Sequence, residues 1–333
     1  MNKFEYVWLD GYKPEQSLRS KVKVDDYADI WSFDGSSTQQ ATGDKSDCIL
    51  NPVAEYRTLD RIRADATQTR PGLEGTYVMC EVLNADHEPH ESNTRTYCTN
   101  LVSDDWWFGF EQEYFMYKDG RPLGWPVKGK PRAQGDYYCG VGDGNVVGRE
   151  IVDRHTEACM NAGIGITGTN AEVALGQWEF QVLGKGIGAG DDFWMARYIL
   201  QRIAEMKGVS INYAPKPQSG DWNGSGMHTN FSNDEMRHRG SEEKLSVICG
   251  QLNKTHKEAI KVYGSDNAKR LTGKHETQSI KKFSYGVSDR GASIRIPVVT
   301  VNNNWNGYLE DRRPAANADP YKVIRHIVES IND

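Results

Sequence analysis

No stretch of this 333-residue chain approaches the ~18 consecutive apolar residues of a membrane-crossing helix, and its start, MNKFEYVWLDGYK, lacks the apolar centre of a secretory leader. Those two absences predict a cytoplasmic protein that meets no membrane. The six cysteines (Cys48, Cys80, Cys98, Cys139, Cys159 and Cys249) show no Cys-x-x-Cys spacing, so neither a zinc site nor a disulfide framework is indicated. They read as reduced, mostly buried thiols. Charge of either sign is not in excess: 40 Lys and Arg against 46 Asp and Glu leave a net charge of -6. There is no general electrostatic reason to expect a nucleic-acid partner, and any basic site must be local. Gly140, Gly142, Gly144 and Gly148 in GVGDGNVVGRE have neither the dinucleotide-binding nor the P-loop spacing, and no strong strand precedes them. They read as turn glycines leading into the helix REIVDRHTEACMNAG. No internal repeat or low-complexity segment is present.

What is present suggests roughly two domains at this length. Residues 1 to 100 are strand and turn material: FEYVWLD, ADIWSFD and TYVMCEVL are separated by polar connections such as DGSSTQQATGDKSD, with a long loop expected around Asp44 to Asp47. From 101 to 333 strands alternate with amphipathic helices. DDFWMARYILQRIAEMKG carries Phe193, Ala196, Leu200 and Ile203 on one face, with Asp191 as N-cap and Gly208 as terminator. A second helix is expected from Ser241 toward Gly264. The last opens at Asp319-Pro320, a cap followed by a proline at the first helical position. The fold class is α+β, a small β domain followed by a larger α+β domain.

The segment DWWFGFEQEYFMY, residues 105–117, sets Glu111 and Glu113 among aromatic residues. In a strand, Phe108, Phe110, Gln112 and Tyr114 point one way and the two glutamates the other. Carboxylates held so close in an apolar setting repel unless a metal ion or a permanent cation lies between them. Further polar residues sit in apolar surroundings: Glu172 and Glu179 in TNAEVALGQWEFQV, expected opposite each other across a Leu175-Gly176 turn, His228 after a glycine-rich turn, Glu310 in NGYLEDRRP, and Glu276 in GKHETQS. Singly, each reads as a solvated or satisfied residue. Together, several carboxylates and one imidazole without cysteine suit a hard divalent cation, Mg²⁺ or Mn²⁺, rather than zinc. Arg270, Arg290, Arg295, Arg312 and Arg313 crowd the final third. Isolated arginines would read as surface salt bridges, but arginines beside metal-binding carboxylates describe a phosphoryl-transfer site.

WFGFEQEY, GTNAEVALGQWEFQV, NGSGMHTNFS, RLTGKHET, RGASIRIP and GYLEDRRPAANADPY resemble, in order, segments of glutamine synthetase, specifically its shorter, eukaryote-like type II branch. The resemblance covers nearly the whole chain. It implies a small N-terminal β-grasp domain, a C-terminal catalytic domain with a curved antiparallel sheet and surrounding helices, and homo-oligomeric rings, decamers of two pentamers, with active sites between subunits. It implies one metal held by Glu113, Glu172 and Glu179 and another, nearer the nucleotide phosphates, by Glu111, His228 and Glu310. Two or more Mg²⁺ or Mn²⁺ ions and ATP would thus serve each site. Trp107, Asn230, Ser232, Arg295 and Tyr308 match nucleotide contacts, joined through the metals by Glu111 and Glu179. Trp222, Arg270, Arg290 and Arg312 match residues that hold glutamate and the transferred phosphate. Glu276 matches a flap over the reaction, and Asp47 a loop residue that reaches a neighbour's site to bind and deprotonate ammonium; with Arg290 these form the catalytic set.

The implied reaction joins L-glutamate and ammonia. A carboxylate is a poor electrophile, so ATP phosphorylates the γ-carboxylate and ammonia then displaces phosphate from the acyl phosphate. Departures from the family pattern fall near Gly184, in QVLGKG; after Pro297, where Val298 and TVNNNWNG replace the usual Arg and its surroundings; and at Asp221, where Asn is common. None touches the six implied metal ligands. Two rival readings are an enzyme of the same fold using another amine or a guanidine, and a catalytically dead relative. The retained Asp47 and Glu276 favour ammonia, and the intact ligand positions favour an enzyme.

Overall fold

Alternation organises the centre of the molecule. In the strand Trp107–Lys118, Phe108, Phe110, Gln112 and Tyr114 are fully buried while Glu111 and Glu113 are partly open on the other face. A computed structural model of the chain describes residues 1–58 and 75–332.

The first sheet is built from β1 (Asn2–Leu9), β2 (Leu18–Asp25), β3 (Trp31–Asp34), β4 (Asp47–Thr58) and β5 (Gly75–Asn84), in the order β2-β1-β5-β4-β3. Only β1 and β5 run parallel. FEYVWL forms β1 because its aromatic and β-branched residues pack from both faces. β2, LRSKVKVD, was not expected; its alternating lysines suit an exposed sheet edge. Asp47 opens β4 instead of lying in the preceding loop, and Pro52 sits where the register with β5 shifts, as befits a residue with no N–H to donate.

The second sheet comes from β6 (Trp107–Lys118), β7 (Arg121–Pro122), β8 (Ile166–Ala171), β9 (Gln177–Lys185), β10 (Ser210–Asn212), β11 (Met227–Ser232), β12 (Tyr285–Val287), β13 (Ile294–Ile296) and β14 (Leu309–Asp311). Its order is β12-β13-β14-β11-β6-β9-β8, with β7 and β10 paired to β6. It is antiparallel, as expected, with one parallel pair at its edge, β12–β13.

Among the described residues, seven α-helices accompany it: α1 (Arg149–Asn161), α2 (Gly188–Met206), α3 (Asp234–His238), α4 (Glu242–Lys254), α5 (His256–Val262), α6 (Val298–Asn302) and α7 (Pro320–Asn332). α2 is buried on nearly every side and lies in the core between the sheets. It starts at Gly188, three residues before the expected cap. Asp191 is instead interior, accepting a forked pair from Arg95 Nε (2.8 Å) and Nη2 (2.9 Å) and the Tyr321 hydroxyl. The span from Ser241 to Gly264 is two helices broken at Thr255, with Ser241 capping the first through Lys244 N. The 298–306 segment is a short helix and turn, not a loop throughout. α7 begins as expected: Asp319 Oδ1 accepts from Tyr321 N (3.0 Å) ahead of Pro320. Val7, Leu9, Tyr56, Tyr77 and Met79 of the first sheet join the main core beneath the second, and Tyr56 donates to Asp192 (2.8 Å), so the two sheets share one apolar interior.

Candidate active site

Two triads of ligating side chains stand on the open face of the second sheet. Glu111, His228 and Glu310 bring one donor atom each within 4.8 Å of one another, and so do Glu113, Glu172 and Glu179. The ladder explains the grouping. His228 is the register partner of Glu111 on β11, Glu179 is the partner of Glu113 on β9, and Glu310 lies one strand further on, opposite Asn230. Glu172 does not lie opposite Glu179, as the hairpin reading expected. Its N–H donates to Gln177 O (2.9 Å) while Asn170 pairs with Glu179, so the two carboxylates meet diagonally. The turn between them needs Gly176, whose φ is 84° and whose Cβ would sit 2.6 Å from Leu123 O.

In the second triad, burial and mutual repulsion dominate the electrostatics. Burial, then repulsion from Glu113, pushes Glu172 up to about 8; burial, then Glu111, Glu113 and Glu172, pushes Glu179 up to about 9. Burial also raises Glu113, against the pull of Arg270. Each carboxylate is aimed by a donor: Gly226 N to Glu113 (2.6 Å), Asn170 to Glu172 (2.8 Å), Gln181 to Glu179 (2.9 Å). In the first triad, burial and the nearby Arg312 hold His228 well below the usual imidazole range, which leaves a neutral ring able to bind a metal. Asn230 donates to Glu111 (2.8 Å), and Arg270 Nη2 lies 3.0 Å from His228 Nε2. All six donors are oxygen or imidazole nitrogen, a set that fits Mg²⁺ or Mn²⁺.

Arginines border the triads. Glu310, 1 % exposed, takes Arg295 Nη1 at 2.9 Å and is also paired with Arg312, while Arg295 Nε is buried without a partner. Arg270 is buried and held by the carbonyls of Arg312 (3.1 Å) and Arg313 (3.4 Å). Arg313 is set apart from the cleft: it is buried against Asp311 (2.7 Å), between α4 and β14.

A cleft of about 470 Å³ adjoins the first triad, lined by Trp107, Glu111, Asn230, Ser232, Tyr308 and Arg237 among others. Sequence reasoning missed Arg237. It lies one turn beyond the cap Asn233, folds back to Ser232 O (3.0 Å), and stacks its guanidinium 4.4 Å from the Trp107 ring centre. The capping signal in SNDEMR marks where α3 begins, but Arg237's contact with Trp107 across the cleft leaves no local signal. A second hollow, about 350 Å³, holds Glu276, Arg290, His275, Asn223, Gln134 and Tyr138. Glu276 pairs with Arg290 at 2.8 Å, and His275 with Asp221 at 3.0 Å; His275 and Glu276 both have positive φ, 54° and 58°.

Two expected residues are not brought to the cleft. Trp222 is buried in an apolar cluster, its ring 4.7 Å from Trp125, while the next residue, Asn223, lines the second hollow. Asp47 lies exposed in the first sheet, paired in register with Asp34, and among the described residues has no ion pair or hydrogen bond to either triad. Of the departures, Gly184 is required by packing, since a Cβ would sit 2.7 Å from Ala189 Cα.

The family model for the glutamine synthetase catalytic domain matches residues 96–332, and that for the glutamine synthetase beta-grasp domain matches residues 1–85. A glutamine synthetase of Bradyrhizobium diazoefficiens is 51% identical over 99% of this chain and 96% of its own; one of Rhizobium meliloti is 49% identical over 97% and 98%, and one of the fungus Colletotrichum gloeosporioides 47% identical over 98% and 91%. A cryo-EM structure of Plasmodium falciparum glutamine synthetase shares the fold, with a TM-score of 0.78 at 16% identity, covering 100% of this chain and 72% of that one. A paired β-grasp sheet and triad-bearing catalytic sheet, matched along almost their whole length by such relatives, mean that this chain belongs to the glutamine synthetase family.

Proposed function

We propose that the open face of the second sheet is where this chain joins L-glutamate to ammonia, at the expense of ATP, through a γ-glutamyl phosphate. The carrying observation is the pair of triads on one strand face, flanked by arginines and by a cleft with an aromatic wall. Glu111, His228 and Glu310 would hold one divalent ion, Mg²⁺ or Mn²⁺, and Glu113, Glu172 and Glu179 another. When bound, such ions neutralise phosphate charge and polarise the transferring group.

The chain's own residues do the rest. Trp107, Tyr308, Asn230 and Ser232 line a cleft of nucleotide dimensions, and Arg295, with its unpartnered buried Nε beside Glu310, suits a phosphate oxygen. Arg270 and Arg312 are fixed by carbonyls and Glu310, so their charge is held in place before substrate arrives. The backbone of the Trp222 turn borders the glutamate position. Arg290, on the exposed rim, neutralises the phosphate that ammonia displaces, and Glu276 closes over the acyl phosphate and excludes water.

Asp47's separation from its own chain's triads supports a role in a neighbouring subunit, there binding ammonium and taking its proton. That role favours a homo-oligomer with shared sites, a decamer of two pentameric rings. Fungal and animal relatives favour the type II branch. Among the described residues no helix is long and apolar enough to cross a membrane. A Drosophila relative named cytoplasmic supports the cytoplasm as the compartment, and another named mitochondrial is equally similar. The test is glutamine formation from glutamate, ammonium and ATP with Mg²⁺ or Mn²⁺, beside methylamine as competing acceptor; activity with the amine but not with ammonium would select the rival reading.

A further inference from the structure

The chain from 270 to 280 closes on itself at its base, where Ile280 N donates to Leu271 O (2.9 Å) and Thr272 bridges Ser279. Its tip, 273–277, carries His275 and Glu276 in succession at positive φ, a left-handed backbone that residues other than glycine rarely adopt. Residues held that way persist only where their surroundings over-determine them. Among the described residues, side chains of the tip bond outside the 270–280 segment at two points alone. Glu276 pairs with Arg290, and His275 contacts Asp221 and Gln134.

The His275 contacts form a chain of defined polarity. Gln134 Oε1 accepts from Asn223 N (2.6 Å) and Gln134 Nε2 donates to Asn223 Oδ1 (2.8 Å), which fixes the Gln134 amide. The same Nε2 lies 3.4 Å from His275 Nδ1. An amide nitrogen only donates, so Nδ1 accepts and the ring carries its proton on Nε2. Nε2 then donates to Asp221 Oδ1 at 3.0 Å. Asp221 and Asn223 flank Trp222, so one turn grips the imidazole at both nitrogens, directly through Asp221 and by way of Gln134. Asp221 is also where this chain departs from the common Asn, and a carboxylate makes a hydrogen bond roughly twice as strong as a neutral amide does.

We propose that His275 is a positioning residue of the lid, tethering its tip to the 221–223 turn so that the lid stays shut while ammonia captures the acyl phosphate. The proposal rests on the reading of Glu276 as the lid residue. Glu276 covers the reaction, and its neighbour on the same left-handed tip anchors it. The lid and the turn then move as one. Asp221 is 95 % exposed, so loosening this pair acts on the lid and not on the fold.

The test is made on the assembled enzyme with Asp221→Asn, Asp221→Ala and His275→Asn, since Asn tolerates the positive φ of position 275. Amide exchange across 273–277, read by mass spectrometry, should quicken by about two- to five-fold in Asp221→Ala and His275→Asn, the scale of one exposed pair. Asp221→Asn, which keeps an acceptor, should quicken it less. Phosphate released per glutamine formed should rise in the same order. Asp221→Ala and His275→Asn combined should do no more than His275→Asn alone, because the two remove one interaction. Lys216 also feels the Asp221 charge, and the combined change separates that effect from the tether. Additive effects, or unchanged exchange and coupling in both Asp221→Ala and His275→Asn, overturn the inference. Glu276→Ala run alongside tells which reading has failed: if it alone uncouples the reaction, the lid stands and the tether falls, and if none of the changes uncouples it, both fall.

Discussion

Glu113 and Glu179 are direct partners across the β6–β9 ladder, two carboxylates facing each other, both raised by burial and by Glu111, with Glu172 raising Glu179 as well. Like charges directly opposite destabilise a sheet. In the metal-free protein Glu172 and Glu179 bind protons up to about 8 and about 9, whereas an ordinary glutamate releases its proton near 4.5. Their contribution to stability is therefore complete below the unfolded value and is lost as pH rises through the folded ones. Metal-free protein should lose thermal stability from about pH 4.5 to about pH 9, and saturating Mg²⁺ or Mn²⁺ should restore it. Melting curves with and without chelator check this; coincident curves at high pH would remove the triads as cation sites.

Replacing either glutamate of β6 separates the two triads. Glu113→Ala should abolish glutamine formation and weaken metal binding by at least about 100-fold. Glu111→Ala should chiefly raise the nucleotide requirement, because Glu111 lines the 470 Å³ cleft and Glu113 does not. Both changes should raise the metal-free melting temperature by relieving repulsion. Full activity of either variant at limiting metal would refute the assignment.

The sequence disclosed the β6 pattern and the α7 cap because each is a local rule: an alternation of period two, and a cap followed by proline. It disclosed the ligands through the resemblance, since spacing alone could not say which carboxylates meet across strands. What stayed hidden depends on distant contacts. Asp191 satisfies the pattern of a helix cap, yet Arg95 and Tyr321 reach it from about a hundred residues away on either side and make it an interior ion pair. Trp222 sits in a turn that reads as substrate-binding, but Trp125 claims its ring. LRSKVKVD is too charged to read as a strand until an edge position explains the lysines.

Asp47 provides the test of assembly. Asp47→Ala and Glu276→Ala chains should each be nearly inactive alone. Mixed and exchanged, about one quarter of the sites would carry both intact residues if one comes from each subunit. Activity regained on mixing, measured after exchange is verified by mass, is the expected result, and none regained would place the whole site within one chain.

Glu276→Ala should disturb the outcome of the reaction more than the fold. Its partner Arg290 is exposed, so the lost pair costs about 1 kcal/mol or less. ATP and metal should bind as before, yet phosphate released per glutamine formed should rise well above one, because water reaches the acyl phosphate first. A ratio that stays at one, or a large loss of metal affinity, would take Glu276 off the lid.

Five of the six triad residues come from β9, β6, β11 and β14, four strands that are neighbours in the sheet, and Glu172 comes from the turn that follows β8. Their separation along β6 is two residues, about 6.6 Å at ~3.3 Å per residue, and is set by backbone geometry. A one-residue slip of β6 would turn Glu111 and Glu113 into the core and bring Gln112 to the cleft, destroying both triads together. Cation occupancy would therefore act as a proofreader of strand alignment: misregistered chains would be sorted from native ones by failing to retain either ion.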